Sequence, residues 1–260
     1  MALLNSFSSG VSAVKTFGKS LEVIGDNIAN VNTTGFKGSR MTNQDNFSQT
    51  FQAASAGGKN SMQVGGGTSV ASISQKFTQG VLSTTGGPAD LGIAGPGFFK
   101  VTGTAGTFYT RAGDFRLDNA GTLLTNDGLK VAVELVPGGS PTTSLLNVDS
   151  YQIAKDGTIT TFKAGVKGTA GKINLFTFAN PNALKREAGN LFSNFGDAAG
   201  TETSGPTVKG DIIQGTLELS NVDLTQEFSD LILAQRAFQA GSRIITVSDS
   251  VMEEIVNLKR

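Results

Sequence analysis

The chain has 260 residues with 21 basic and 21 acidic side chains, so its formal net charge at pH 7 is zero. This balance gives no electrostatic reason to expect nucleic acid as a partner, and a surface with only 16% charged residues favours self-association. The absence of cysteine and histidine removes disulfides, thiolate chemistry and the commonest acid–base catalyst and metal ligand, which excludes most catalytic schemes.

The N-terminal segment has the apolar spacing of an amphipathic helix that runs from about Leu4 to residue 28 or 30. Its apolar residues are mostly three and four apart: Leu4, Phe7, Val11, Val14, Phe17, Leu21, Ile24, Ile28 and Val31. Gly10, Gly18 and Gly25 each weaken an isolated helix by roughly 1 kcal/mol relative to alanine. One interpretation is an ordinary core helix; the other is that the glycines allow close approach of a neighbour and the helix orders on assembly.

A turn is predicted directly after this helix. Asn30 and the threonines that follow compete for backbone hydrogen bonds, and Gly35, before Phe36, can adopt the left-handed conformation that ends a helix. The next stretch, residues 41–67, is polar and rich in Gly, Ser and Ala, which is typical of a flexible linker. We therefore assign residues 38–67 to a linker or extended segment.

From residue 68 to residue 220 the pattern favours a mainly antiparallel β region. Phe98 and Phe99 begin a short buried run. Turn residues then recur between apolar segments at Asn119-Ala120-Gly121, Asn126-Asp127-Gly128 and Asp156-Gly157. These are standard hairpin signals, so a β-meander is predicted.

A second helix of about 35 residues, roughly 50 Å long, is predicted from the N-cap Asp223 to the end of the chain. Gln226 and Glu227 follow in its first turn. The apolar spacing predicts a single stripe: Leu224, Phe228, Leu231, Phe238, Ile244, Ile245, Val251, Ile255 and Leu258.

No motif nominates catalytic chemistry. The segment ending at Lys172-Ile173 resembles a phosphate loop, but its glycine spacing is one residue too long and Ile173 replaces the Ser or Thr that would hold Mg²⁺. Asp114 and Asp118 lie near one another on a predicted hairpin, where a solvated strand face explains them. We therefore predict no catalytic residue, no cofactor or metal site, and no enzyme.

Six segments, in order along the chain, carry a further pattern: Val23–Lys37, Asp90–Phe99, Tyr109–Phe115, Phe178–Pro181, Gly189–Phe192 and Ala234–Arg243. Together they resemble, in register, the motifs of the bacterial flagellar axial proteins, the rod and hook proteins. One such motif would be weak, but six that extend from end to end are specific.

The resemblance implies an α+β fold in which the terminal helices, within residues 1–37 and 221–260, pair in a coiled-coil-like polymerisation domain. The apolar residues of both helices would form the polymerisation interface, and Asn30, Gly35 and Phe36 the family turn. The β region 68–220 would form an outer domain, and residues 38–67 would help set whether the tube is straight or flexible. Subunits would join by heterologous contacts into a helical tube with an axial channel.

The resemblance also implies the partners and the location. The partners are further copies of the chain, other axial proteins of the rod, the hook–filament junction and the hook cap, and the type III export apparatus. Export without a cleaved signal peptide, to an extracellular or periplasm-spanning position in the flagellum, is expected. Neither nucleic acid binding nor membrane insertion is expected.

Three functions stay open. The final segment, Val251–Arg260, and Gln63–Gly67 resemble hook proteins, so a torque-transmitting hook subunit is favoured. The short span between Val133 and Ile173 resembles the distal rod protein, which is the alternative. A different class is a self-contained secreted β-rich module, such as an adhesin, whose termini form a helical hairpin.

Overall fold

The computed structural model describes residues 2–52, 61–104, 106–134, 148–163, 166–204 and 210–258. In this part of the chain a long helix lies near each terminus and the middle is mainly antiparallel β-structure, which confirms the predicted α+β class. The chain divides into two compact units. The helical unit comprises Met1–Ala29, Ser39–Gln75 and Asp223–Arg260, and the β unit comprises Asn30–Gly38 and Lys76–Val222.

The helical unit contains both long helices and four strands. Their bounds are α1 (Ala2–Ala29), β1 (Ser39–Asp45), β2 (Gln49–Gln52), β3 (Met62–Val64), β4 (Thr68–Gln75) and α2 (Leu224–Leu258). Strand β1 pairs antiparallel with β4, and β2 with β3, so the segment assigned to a linker contains paired strands. Asp223 caps α2 as predicted, because its carboxylate accepts from the backbone N–H of Thr225 at 2.9 Å. The side chain of Gln226 bonds to Asp230 instead of returning to the cap.

The β unit is built from short strands. They are β5 (Leu82–Thr84), β6 (Leu91–Ala94), β7 (Phe98–Gly103), β8 (Gly106–Thr110), β9 (Arg116–Leu117), β10 (Leu123–Leu124), β11 (Lys130–Val131), β12 (Val133–Glu134), β13 (Ser150–Ile153), β14 (Thr158–Lys163), β15 (Val166–Ile173), β16 (Leu175–Thr177), β17 (Lys185–Glu187), β18 (Leu191–Ser193), β19 (Thr203–Ser204), β20 (Asp211–Gln214) and β21 (Thr216–Glu218).

The main sheet of the β unit has the strand order β17-β18-β8-β7-β11-β10-β9, with β16 pairing to both β7 and β19. A second sheet has the order β12-β15-β14-β13, and the pairs β20–β6 and β21–β5 complete the unit. Every pairing among the described strands is antiparallel. The turns predicted at Gly121, Gly128 and Gly157 connect neighbouring strands, and each glycine has a positive φ of 75° to 85°.

Phe98 and Phe99 explain the buried run at the start of β7. Because successive side chains of a strand point to opposite faces, the two rings enter different apolar clusters. Phe99 packs edge to face on Phe115 in the larger cluster, with centroids 5.2 Å apart. Phe98 packs in the same manner on Phe192 in the smaller one, with centroids 5.8 Å apart. Both faces of the main sheet are therefore covered.

Candidate assembly interface

Helices α1 and α2 pack antiparallel within the helical unit, and glycines set the register of the pair. A β-carbon built on Gly10 would lie 3.1 Å from Cγ1 of Ile245, and one built on Gly18 would lie 3.7 Å from the ring of Phe238. Further along, the amide of Asn27 donates to the carboxylate of Glu227 at 3.1 Å. The prediction that glycines allow close approach is confirmed for Gly10. A β-carbon on Gly18 would make an ordinary van der Waals contact, and nothing lies within 4 Å of such an atom on Gly25.

The side of α2 that faces α1, here called the seam face, repeats every three and four residues. Its members are Leu231, Ala234, Phe238, Gly241, Ile245 and Ser248. Large and small residues alternate, and the small ones, Ala234, Gly241 and Ser248, are the buried residues of this helix. This is the heptad alternation that lets two helices interdigitate.

A second apolar stripe of α2 lies about 100° around the helix from the seam face, since each of its members up to Val247 precedes a seam position by one residue. This outer stripe comprises Leu233, Ala237, Ala240, Ile244, Val247, Val251, Ile255 and Leu258. Leu233 is 67% exposed, Val247 61% and Leu258 85%. Ala237 and Val251 are half-buried, and the other members are exposed. Large exposed apolar patches are uncommon on monomeric proteins.

The apolar residues predicted for a single stripe on α2 therefore fall on more than one face. Leu231, Phe238 and Ile245 lie on the seam face, whereas Val251, Ile255 and Leu258 lie on the outer stripe. Ile244 lies between the two, since its Cγ2 would be 3.2 Å from a β-carbon on Gly10 of α1. Leu224 and Phe228, in the first two turns, are exposed. The spacing alone did not separate the two stripes because adjacent residues such as Ile244 and Ile245 are both apolar.

The predicted α1 residues are buried to different extents. Ile24 is buried and Phe7 is exposed, while the others between residues 11 and 28 are half-buried: Val11, Val14, Phe17, Leu21 and Ile28. The side chain of Leu4 lies outside the described part of the structure. Val31 follows the helix and belongs to the β unit, where it is half-buried.

The β1–β4 hairpin covers another side of α1, which the sequence did not predict. The hydroxyl of Thr16 donates to the backbone carbonyl of Thr68 at 3.2 Å, and the backbone N–H of Thr68 donates to the hydroxyl of Ser12 at 3.3 Å. At the other end, the side chain of Asn27 makes two hydrogen bonds with the backbone of Ser39, at 2.8 and 2.9 Å. The helical unit is thus a three-part assembly of α1, α2 and the hairpin.

The turn after α1 is anchored in the β unit. Gly35 has a φ of 67°, and a β-carbon there would lie less than 3.0 Å from the backbone of Arg111 and Ala112. Phe36 is only 1% exposed and carries the guanidinium of Arg186 at 4.7 Å from its ring centroid. The predicted turn therefore requires glycine both for its conformation and for the close approach of backbone.

A buried ion cluster lies directly beyond this turn. The carboxylate of Glu218 accepts from Lys37 Nζ at 2.6 Å, from Arg111 Nη1 at 3.1 Å and from the backbone N–H of Gly80 at 2.8 Å. The side chains of Lys37 and Glu218 are fully buried. Burial lowers the pKa of Lys37 from its ordinary value of 10.5, while the hydrogen bond to Glu218 acts in the opposite direction. No sequence pattern indicated this cluster, because its members are far apart along the chain.

The described residues offer little else that is typical of a catalytic or membrane site. Among them, no group of three or more Asp or Glu side chains is arranged to hold a metal ion. Neither helix, over its described length, contains a stretch apolar enough to cross a bilayer.

Three protein-family models match the chain. "Flagella basal body rod protein" matches residues 7–37, which contain most of α1 and the turn after it. "Flagellar hook protein FlgE/F/G D1 domain" matches residues 92–161 of the β unit. "Flagellar basal body rod FlgEFG protein C-terminal" matches residues 213–258, which include α2. The three matches follow one another in chain order and include most of α1 and all of α2.

The relatives that align with nearly the whole chain are named either as rod proteins or as hook proteins. The flagellar basal-body rod protein FlgG of Bacillus subtilis (strain 168) is 43% identical, with 99% of this chain and 100% of that protein aligned. The rod protein FlgG of Caulobacter vibrioides is 33% identical over the whole of both chains. The flagellar hook protein FlgE of Treponema pallidum is 25% identical, and its alignment extends over 463 residues, so it carries long segments that this chain of 260 lacks.

Proposed function

Because the chain belongs to the family of flagellar rod and hook proteins, we propose that it is a distal rod subunit that polymerises through its two terminal helices. As a member of this family it is a structural component of the flagellum, at the basal-body rod or the hook. The rod assignment rests on the higher identity of the rod relatives and on equal length. The hook interpretation favoured by the terminal motifs is not confirmed.

The observation that supports polymerisation is the exposed outer stripe of α2. The seam face is already occupied by α1, and Ile244 of the outer stripe also approaches α1 at Gly10. The more exposed members of the stripe, such as Leu233 and Val247, are placed to pack on a helix of another copy. Burying such a stripe stabilises the contact by about 25 cal/mol for each Å² of apolar surface removed from water. A net charge of zero leaves little repulsion between copies to oppose this packing.

Replacing Val247 with Asp tests this proposal. The variant should fold as well as the wild type, because Val247 is largely exposed within one chain. It should not polymerise, since every new contact would bury an unpaired carboxylate at a cost of several kcal/mol. Thr246→Asp, one residue earlier and also exposed, is the matched control and should still polymerise. Sedimentation and electron microscopy measure the polymerisation of both variants. Normal tubes from V247D would refute the assignment of the outer stripe as a polymerisation surface.

A hook subunit is the second candidate, because hook relatives align over their full length and the matched D1-domain model includes hook proteins. The two candidates differ in the polymer that they form. A rod subunit should give straight, stiff tubes, and a hook subunit curved ones. Electron microscopy of tubes assembled from the purified chain would decide between them.

The remaining partners follow from the same proposal. The chain would contact neighbouring rod and hook proteins at the two ends of its own segment, and it would leave the cell through the type III export apparatus. A tagged copy should then reach the medium only while that apparatus is active. Secretion that continues after the apparatus has been inactivated would contradict this route.

A further inference from the structure

One side chain of the β unit joins three segments that lead into the helical unit. Asn221 accepts a hydrogen bond from the backbone N–H of Gly38 at 2.9 Å and donates to the backbone carbonyls of Lys76 and Thr78 at 2.6 and 3.1 Å. The chain passes between the two units at four places, and Gly38, Lys76 and Val222 lie at three of them: before β1, after β4 and before α2. Asn221, one residue from the last of these, therefore ties three of the four connections together.

Glu218 lies three residues earlier and repeats this pattern in the interior. Its carboxylate bonds Lys37, which precedes Gly38, and the backbone N–H of Gly80, which follows Thr78. Lys37 Nζ also donates to the carbonyl of Thr78 at 2.8 Å. The backbone carbonyl of Glu218 accepts from Gly35 N–H at 2.8 Å. The same three segments are thus joined twice, once at the edge by an amide and once inside by a buried carboxylate.

The stability of the fold does not by itself explain why charged residues occupy the buried cluster around Glu218. A buried ion pair costs desolvation that its attraction barely repays, and apolar residues of similar volume often do as well. A buried charged cluster can instead provide specificity, because a displaced segment leaves a buried charge without its partner.

We propose that Glu218 and Asn221, here called the clamp, are positioning residues for assembly: they hold residues 35–38, 76–80 and 218–222 of the β unit in one arrangement. These segments lead into β1, out of β4 and into α2, so that every subunit would enter the polymer with the same conformation at these connections. This inference rests on the proposed polymerisation of the chain. Loosening the clamp should leave the two apolar clusters of the β unit intact. It should release the three connections, and the resulting mixture of subunit geometries should degrade the helical order of the polymer.

The test compares Glu218→Gln with Glu202→Gln. Glu202 is a carboxylate of the same unit that is paired with Lys100 at 2.7 Å at a more exposed position, away from the three connections. In E218Q, amide hydrogen exchange of residues 35–38 and 78–80 should accelerate by about tenfold or more, while β7 and β8 stay protected. E202Q should leave exchange at the connections unchanged. Asn221→Ala, at the half-exposed edge of the clamp, provides a second variant if E218Q fails to fold.

Polymers of the same variants complete the test. Tubes of E218Q or N221A should form with weakened or lost layer lines in electron micrographs, while those of E202Q diffract like the wild type. Faster exchange combined with wild-type helical order would overturn the positioning role, and so would unchanged exchange in both clamp variants. Failure of the wild-type chain to polymerise would instead overturn the proposed function, and the exchange result would still report on the clamp.

Discussion

A β-carbon placed on Gly241 would lie 3.1 Å from Cγ2 of Val14 and 3.5 Å from its backbone nitrogen. Gly241 is buried in the seam between α1 and α2, and the atoms that it faces include backbone, which cannot move aside as the tip of a long side chain can. This glycine therefore sets how closely the two helices approach.

We expect Gly241→Leu to destabilise the helical unit by about 1–3 kcal/mol, because an added side chain in a packed seam forces the helices apart. Gly25→Ala is the matched control, since that glycine also lies within a helix but nothing lies within 4 Å of an added β-carbon. G25A should stabilise α1 by roughly 1 kcal/mol, the difference in helix propensity. Thermal unfolding, followed by the helical circular dichroism signal, measures the stability of both variants. Equal effects of the two changes would contradict the close packing of α1 on α2 at Gly241.

The sequence predicted those features that depend on neighbouring residues. The limits of α1 and α2, the Asp223 cap and the turns at Gly128 and Gly157 follow from local spacing, hydrogen-bonding side chains and the need for positive φ. The order of the strands in the main sheet, in contrast, depends on contacts between distant segments, which no local pattern records.

The contacts of the clamp, and those between α1 and the β1–β4 hairpin, likewise depend on residues that are far apart in the sequence. Lys37 and Glu218 are 181 residues apart, and Thr16 and Thr68 are 52 apart. A single lysine or glutamate in a sequence normally indicates a solvated position, because charged side chains are almost never fully buried unless paired. The pairing that overrides this expectation exists only after the chain has folded.

Substitutions at two glycines of the β unit distinguish the cost of backbone strain from the cost of steric crowding. Gly35 and Gly86 both have positive φ, at 67° and 72°, but a β-carbon on Gly35 would meet the backbone of Arg111 and Ala112, whereas one on Gly86 would meet nothing within 4 Å. We expect Gly86→Ala to cost about 1–2 kcal/mol from the left-handed conformation alone. Gly35→Ala should cost clearly more, because the same strain is combined with a clash that shifts the turn.

Chemical denaturation of the two variants measures this difference. If G35A were no less stable than G86A, the inference that the turn packs closely on the backbone of Arg111 and Ala112 would be wrong. The larger loss in G35A should also appear as faster hydrogen exchange at Phe36 and Lys37, since the turn immediately precedes them.

The last prediction concerns two carboxylates. Asp90 and Asp114 face one another in an isolated antiparallel bridge, and the Asp114 carboxylate also accepts a hydrogen bond from the side chain of Asn126. Burial raises the pKa of Asp114 above its ordinary value of 3.8, and the charges of Asp90 and Asp127 raise it further. Because the folded pKa is raised, the stabilising contribution is complete below pH 3.8 and is lost as the pH rises through the folded pKa.

Asp114→Asn should therefore raise the stability of the β unit at pH 7, by about 0.5 kcal/mol, the scale of one cross-strand charge pair. The amide oxygen can still accept the hydrogen bond from Asn126, so the gain reflects the removed charge. It should shrink as the pH falls through the raised pKa and vanish below pH 3.8. Asp211→Asn, an exposed carboxylate on β20, is the control and should show no such gain. Denaturant unfolding at several pH values measures both variants, and a gain for D114N that does not depend on pH would argue against a raised pKa of the Asp114 carboxyl.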